Sequence, residues 1–387
     1  MKLIARLVFG IIAGVAIGFI ANEFIAKLMV TIKDLIGSFI FFMVPLIIVF
    51  FIAAGIAALG KGGGKMLGST IFVSYLSTIL AGFFAVFVAM NVIPSLGISG
   101  TGASAPSEME GFLQLSVEPL FDVLTALLLA FVFGIGIAAT NSSTLYGFIE
   151  EGKNIVELVI RKAIIPLLPF YIAGVFAEMS YEGTVFKTLG VFGVVLLLAV
   201  AMHIIWLFIQ YTVAAAVNRN NPLSLLKAML PAYVTALGTM SSAATIPVTL
   251  EAVRKNRIRD SITNFVVPLC ANIHLSGSTI TILTAATAVM HIYPGLTFPG
   301  FSGMIPVIFM LGIIMIAAPG VPGGAVMAAT GILTSMLGFD EGAIALMIAL
   351  YLAQDSFGTA ANVTGDGAIA VLMNGLKERR LGNQQSS

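Results

Sequence analysis

Residues 343–380 read AIALMIALYLAQDSFGTAANVTGDGAIAVLMNGLKERR. An apolar arm leads into a polar string at 354–366, and a second apolar arm leads out of it to a basic end. Together the arms are long enough to cross roughly 30 Å of hydrocarbon, so Asp355 and Asp366 fall at membrane depth. A carboxylate there is costly unless it is paired, and the roles that justify one are holding a cation, an ammonium group or a proton. A purely structural partner is not at hand, because 261–376 holds no Lys or Arg. The two aspartates are eleven residues apart, three helical turns or about 16 Å, with Thr359 and Asn362 on the same face between them. Such oxygen ligands suit a hard cation, and the polar string is expected to break the helix and release backbone carbonyls that add to them.

The rest of the chain has the same character. Of its 387 residues 59% are hydrophobic and 10% charged, where soluble domains carry roughly a quarter charged residues. The mean hydropathy of +1.06 excludes a soluble fold, and the net charge of +1 gives no sign of a nucleic-acid partner. Apolar stretches place spans near 3–24, 35–59, 67–96, 120–139, 155–178 and 186–217, separated by polar loops such as KGGGK (61–65) and NRNNP (218–222). The opening MKLIARLVFGIIAGVAIGFIA imitates a secretory signal, but further spans follow it, so it reads as a first transmembrane helix. The single cysteine, Cys270, excludes an intrachain disulfide and a cysteine metal cluster. His203, beside Trp206 in an apolar helix, reads as a packing residue.

Positive charge fixes the expected orientation. With the amino terminus inside, only Lys27, Lys33 and Lys187 of the nineteen Lys and Arg lie outside, which leaves sixteen on the inner side. That fit needs two segments that enter and leave on one side. Residues 223–252 hold MSSAAT (240–245) and Pro247 between apolar arms, and 301–338 hold PGVPGG (319–324) in the same way. Each reads as a re-entrant helical hairpin whose tip exposes backbone that only a protein-lined cavity tolerates. After each comes an expected interrupted helix, broken at HLSGST (274–279) and at QDSFGTAANVTGD (354–366). The expected fold is therefore an all-α polytopic membrane protein, with eight transmembrane helices plus two re-entrant hairpins arranged as inverted repeats.

At these residues the chain resembles the dicarboxylate/amino acid:cation symporter family, which includes glutamate, aspartate and serine/threonine transporters. SSAATIPVT (241–249) resembles the first hairpin tip, HLSGST stands at an Asn-Met-Asp-Gly-Thr motif, GVPGG (320–324) resembles the second tip, and DSFGTAANVTGD resembles the last helix. The resemblance implies an elevator-type homotrimer in the lipid bilayer, with scaffold and trimerisation elements mainly in 1–220 and a binding core mainly in 223–377 of one transporter domain. It implies that Asp355 binds the substrate ammonium and that Thr359 and Asn362 contact its carboxylate or backbone. Ser242 and Val321 would offer hairpin backbone, Ser278 takes a threonine position, and Asp366, Asn362 and the backbone of His274 hold sodium. Gly358 stands where acidic-substrate members carry arginine, Ser276 replaces an aspartate and His274 an asparagine; the SSAA type of tip and the QDS start (354–356) resemble the serine/threonine transporters more closely.

The expected activity is sodium-coupled symport of a neutral amino acid of serine, threonine, alanine or larger size, with one or two sodium ions, since Ser276 brings no charge. The expected location is a bacterial or archaeal inner membrane with both termini cytoplasmic. Proton- or sodium-coupled transport of an acidic amino acid or dicarboxylate is the alternative within the class, and an ion channel the alternative outside it. No nucleophile, base and orienter form a catalytic set, so an enzyme is not expected.

Overall fold

The computed structural model describes residues 2–60, 65–95, 109–113, 115, 117, 119–120, 122–183, 185–218, 220–318 and 322–385. All regular structure among them is helical: α1 Lys2–Ile20, α2 Glu23–Ile47, α3 Ala53–Gly60, α4 Lys65–Ser95, α5 Val123–Thr140, α6 Ser143–Val159, α7 Ile165–Tyr181 and α8 Val185–Asn218. These are followed by α9 Pro222–Ala228, α10 Leu230–Thr239, α11 Ser242–Lys255, α12 Asp260–Ile273, α13 Ser276–Ile292, α14 Gly300–Met315, α15 Gly324–Leu337 and α16 Glu341–Gln385. Among the described residues α1, α2–α3, α4, α5, α6–α7, α8, α12–α13 and α16 form eight rods in chain order. Six of them are long and apolar enough to cross a membrane, the α12–α13 rod being interrupted, while α1 and α5 are shorter apolar helices. The protein is a multi-pass, all-helical membrane protein.

Helix starts coincide with short polar side chains that satisfy the free N–H groups of a first turn. Asn22 accepts from Ile25 N at 3.0 Å, Asp122 from Thr125 N at 3.0 Å and Ser142 from Leu145 N at 3.3 Å. Two of these caps correct span boundaries. The second rod begins at Glu23, not near 35, because Asn22 caps it and because Lys33 finds Glu178 Oε2 at 2.7 Å and Asp34 at 3.4 Å, so its charge is paired within the helix packing. The fifth rod begins at Ser143, not near 155, and its length is taken up by a π turn at Ile160–Ile164, matched by one at Ile48–Ile52 in the second rod.

The packing has two groups. Helices α1 to α3 and α5 to α7 lie on one another, while α4 and α8 lie against α12, α13 and α16, with α14 also against α4. The first group is tied by a row of glycines: a β-carbon at Gly10, Gly14 or Gly18 would collide with the carbonyls of Pro169, Ala173 and Ala177 on α7. Small residues at such spacing let two membrane helices approach to backbone contact. The groups meet where α15 touches α2 and α5 and where α16 touches α1 and α7.

Both expected hairpins are helix pairs. In the first, α10 ends on Met240 in the left-handed region (φ 53°), and Ser241 then caps α11 by accepting from Ala244 N at 3.3 Å. In the second, α14 and α15 are joined through a segment ending at Gly323, whose φ of 75° suits glycine. The interruption at HLSGST is present, with His274 extended and Leu275 outside both helices between α12 and α13. The interruption expected at 354–366 is absent, for α16 runs unbroken through it. No proline lies in that stretch, and glycine is packed against neighbours there and just beyond it: a β-carbon at Gly365 would meet His274 and Gln210, and one at Gly367, the next residue after the stretch, would meet Met229 and Tyr211.

Candidate functional site

The break between α12 and α13 leaves the first N–H groups of α13 without partners in their own helix, and Leu275 has no side chain to cap them. α16 supplies the cap. Asn362 Oδ1 accepts from Gly277 N at 2.8 Å and from Ser278 N at 3.2 Å, while its Nδ2 donates to Ser278 Oγ at 2.9 Å. Tyr351 OH donates to the same Ser278 oxygen at 3.1 Å. The two helices can come this close because residue 277 is glycine, where a β-carbon would run into the Gly358 carbonyl.

Asp355 lies two turns before Asn362, buried, and is engaged from the second hairpin. Gly323 N donates to its Oδ2 at 2.7 Å and Thr359 Oγ1 contacts its Oδ1 at 3.4 Å. The N-terminus of α15 thus points its free N–H at a carboxylate, as helix N-termini favour.

Asp366 is one turn beyond Asn362 and is held by a side chain, not by backbone. His274 Nδ1 is 3.0 Å from Asp366 Oδ1, and both residues are almost fully buried. The other ring nitrogen, Nε2, is 3.0 Å from Ser77 Oγ on α4 and 3.3 Å from Gln210 Nε2 on α8, and Gln210 Nε2 donates to Ser77 Oγ at 2.9 Å. Since the amide nitrogen can only donate, Nε2 is the accepting nitrogen and Nδ1–H donates to Asp366. A cation at Asp366 would therefore share the carboxylate with an imidazole N–H.

The structure brings Asp355, Thr359, Asn362, Asp366, Ser278 and His274 into one buried region where α13, α16 and the second hairpin meet. Gly358 faces α13, where a β-carbon would stand 3.2 Å from Thr281 Oγ1. Ser242 is buried in the first turn of α11 at the other hairpin tip. Val321 lies outside the described residues. Ser276 is fully buried and its hydroxyl has no hydrogen-bond partner among the described residues.

Three residues of this region, Ser77, Gln210 and Tyr351, are not singled out by the sequence, and Gln354 stands there only as the first residue of the polar string at 354–366. A fifth, His203, is more than packing, because its Nε2 sits 3.0 Å from the Gly277 carbonyl and 3.1 Å from Thr281 Oγ1. One signal pointed to two of them. His203 and Gln210 are polar residues seven apart in an otherwise apolar span, and so share a helix face.

A multi-pass helical protein with two helical hairpins facing a buried aspartate pair has the architecture of a membrane transport protein. The comparison with known families makes this specific: the chain belongs to the Sodium:dicarboxylate symporter family, whose model matches residues 3–376. That is a family of transporters and not of enzymes. Excitatory amino acid transporter 1 of Ambystoma tigrinum is 32% identical over 235 residues, 60% of this chain and 42% of that protein. Excitatory amino acid transporter 1 of Homo sapiens is 31% identical over 238 residues, 61% of this chain and 42% of that protein. Excitatory amino acid transporter 5 of Homo sapiens is 32% identical over 206 residues, 53% of this chain and 36% of that protein. The matched part of the chain thus spans less than half the length of these relatives.

Proposed function

We propose that this protein is a sodium-coupled secondary active symporter for a neutral amino acid, working by alternating access. The observation that carries the reading is the pairing of a buried carboxylate, Asp355, with a complete lack of Lys and Arg between Asp260 and Leu376. A substrate ammonium finds a counter-charge there. A second substrate carboxylate finds none, and burying it unpaired would cost several kcal/mol. Family membership supports cation coupling, and Asp366, Asn362 and His274 are the proposed surroundings of one of one or two sodium ions. Hairpin backbone at Ser242 and Val321, with Thr359, Ser278 and the space at Gly358, completes the proposed substrate site.

The two packing groups suit a moving core on a static frame. We assign α4, α8 and residues 222–378 to the moving part, with trimerisation through the other group and both termini cytoplasmic in a cell inner membrane.

A second reading has its own support, since the relatives are named as excitatory amino acid transporters. Under it the substrate is an acidic amino acid or dicarboxylate, coupled to sodium or protons. Uptake into proteoliposomes separates the two. A tenfold sodium gradient with 100 mV supplies roughly 1.4 plus 2.3 kcal/mol per ion, enough to accumulate serine or threonine several hundredfold. Equal accumulation with choline in place of sodium removes the sodium coupling, and aspartate competing as well as serine removes the neutral substrate.

A further inference from the structure

Gln354 stands beside Asp355 in α16. It is fully buried, and neither its Nε2 nor its Oε1 has a hydrogen-bond partner among the described residues. A carboxamide brings two donors and an acceptor oxygen, and buried polar groups are nearly always paired, so a side chain with both ends unpaired calls for a partner from outside the chain.

Its surroundings indicate where that partner lies. Gln354 precedes Gly358 by four residues, one turn along the same face of a continuous helix. A helical side chain covers the turn on the N-terminal side of its own Cα, so glycine at 358 leaves the turn carrying Gln354 uncovered. A β-carbon at 358 would meet Thr281 Oγ1 at 3.2 Å and Ser278 N at 3.6 Å. Thr281 Oγ1 in turn lies 3.1 Å from His203 Nε2, and His203 Nδ1 is a further buried atom without a partner among the described residues. The ground around Gly358 is therefore polar, and the stretch from Asp260 to Leu376 contributes no Lys or Arg to it.

We propose that Gln354 reads the side chain of the transported amino acid, and that this side chain carries an uncharged hydrogen-bonding group, a hydroxyl or a carboxamide. The inference rests on the neutral amino acid reading above. It adds a named residue and a narrower substrate class to it. The ammonium at Asp355 anchors the substrate, and the side chain enters over Gly358 to meet the amide of Gln354.

Two isosteric pairs of amino acids test it: threonine with valine, and asparagine with leucine. Binding of each to the purified full-length protein in sodium is measured by competition or thermal shift. In the native protein the polar member of at least one pair is expected to bind about tenfold or more tightly than its apolar isostere, because the apolar one leaves the amide unpaired. In Gln354→Met that ratio should fall to about threefold or less, chiefly through weaker binding of the polar member, and Gln354→Asn should fall between. A side chain that only supports the fold would shift all four affinities together and leave the ratios alone, which overturns the proposal. Should Gln354→Met not fold, the native ratios still decide, since equal binding within both pairs overturns it without any variant. The two levels of reading stay distinct. Equal binding within pairs removes the role of Gln354 and leaves neutral amino acid transport standing, whereas no binding by any of the four, nor by serine or alanine, removes both.

Discussion

The polar strings at 274–279 and 354–366 lie side by side in the protein and behave in opposite ways. The shorter one parts α12 from α13 at His274 and Leu275, while the longer one, with two aspartates and two glycines, stays inside the unbroken helix α16. Their difference is in where the backbone groups find partners. At the break, Gly277 N and Ser278 N are received by Asn362 of α16, and the His274 ring is drawn out to Asp366, Ser77 and Gln210. In α16 it is the side chains of Asn362 and Asp366 that are spent on the break, and the helix's own ladder is left whole. One helix is opened, and the other is the splint that holds it open.

This contrast can be broken from either side. The largest effect is expected from forcing a break into the splint. Ala360→Pro removes an N–H inside α16 and drives a ring into the preceding turn, costing about 3 kcal/mol or more. Thermal unfolding and size-exclusion chromatography in detergent should show little folded protein, and a native unfolding temperature would mean that continuity of α16 is dispensable. Next in size is Asn362→Ala, which leaves the N–H groups of Gly277 and Ser278 without their partner and the Ser278 hydroxyl with Tyr351 alone. A loss of roughly 2–3 kcal/mol is expected, read as a lowered midpoint in the same melt, with no effect on expression of the membrane-inserted chain.

A smaller effect follows from loosening the ring at the break. Ser77→Ala takes away the hydroxyl that His274 Nε2 and Gln210 share, for about 1 kcal/mol of stability. An unchanged melt would show that Asp366 and Gln210 hold the ring without Ser77. The smallest change is expected at Gly358→Ala. Alanine gains up to about 1 kcal/mol of helix propensity, and contact with Thr281 Oγ1 at 3.2 Å offsets part of it. Stability should stay within about 1 kcal/mol of the native value, while uptake of larger amino acids should fall relative to serine, because the added carbon takes space over the turn of Gln354.

Much of this architecture was legible in the chain because it depends on local features. The hairpins announce themselves as apolar arms around MSSAAT and PGVPGG, and the break at HLSGST lies where small and polar residues interrupt a span. What could not be read locally is which polar residues have neighbours to spend themselves on. QDSFGTAANVTGD looks like a helix breaker until Gly365 is seen against His274 and Gln210, and Gly367, just beyond it, against Met229 and Tyr211. For the same reason the reading of His274 as a backbone ligand missed its ring. Ser77 and Gln210 reach it from spans 197 and 64 residues away in sequence. The start of α2 is hidden in the sequence because Lys33 looks like a loop residue until Glu178 is beside it.

The glycine row of α1 has a consequence for how the protein is made. α1 precedes α7 in the chain, and its fitted partner surface at Pro169, Ala173 and Ala177 belongs to that later helix. At roughly 5–20 residues per second of synthesis, that partner emerges on the order of ten seconds or more later. During that interval Gly10, Gly14 and Gly18 present bare backbone to lipid, and lipid tails are no worse company for the apolar remainder than protein is. The helix therefore has no reason to settle early against any other span. When α7 arrives, the row admits it to carbonyl contact, and the Ser180 hydroxyl fastens to the Val15 carbonyl at 3.0 Å. A larger residue at Gly14 would leave insertion of α1 untouched and fail at this later closing, so the defect would appear as a chain in the membrane whose α1 never docks on α7.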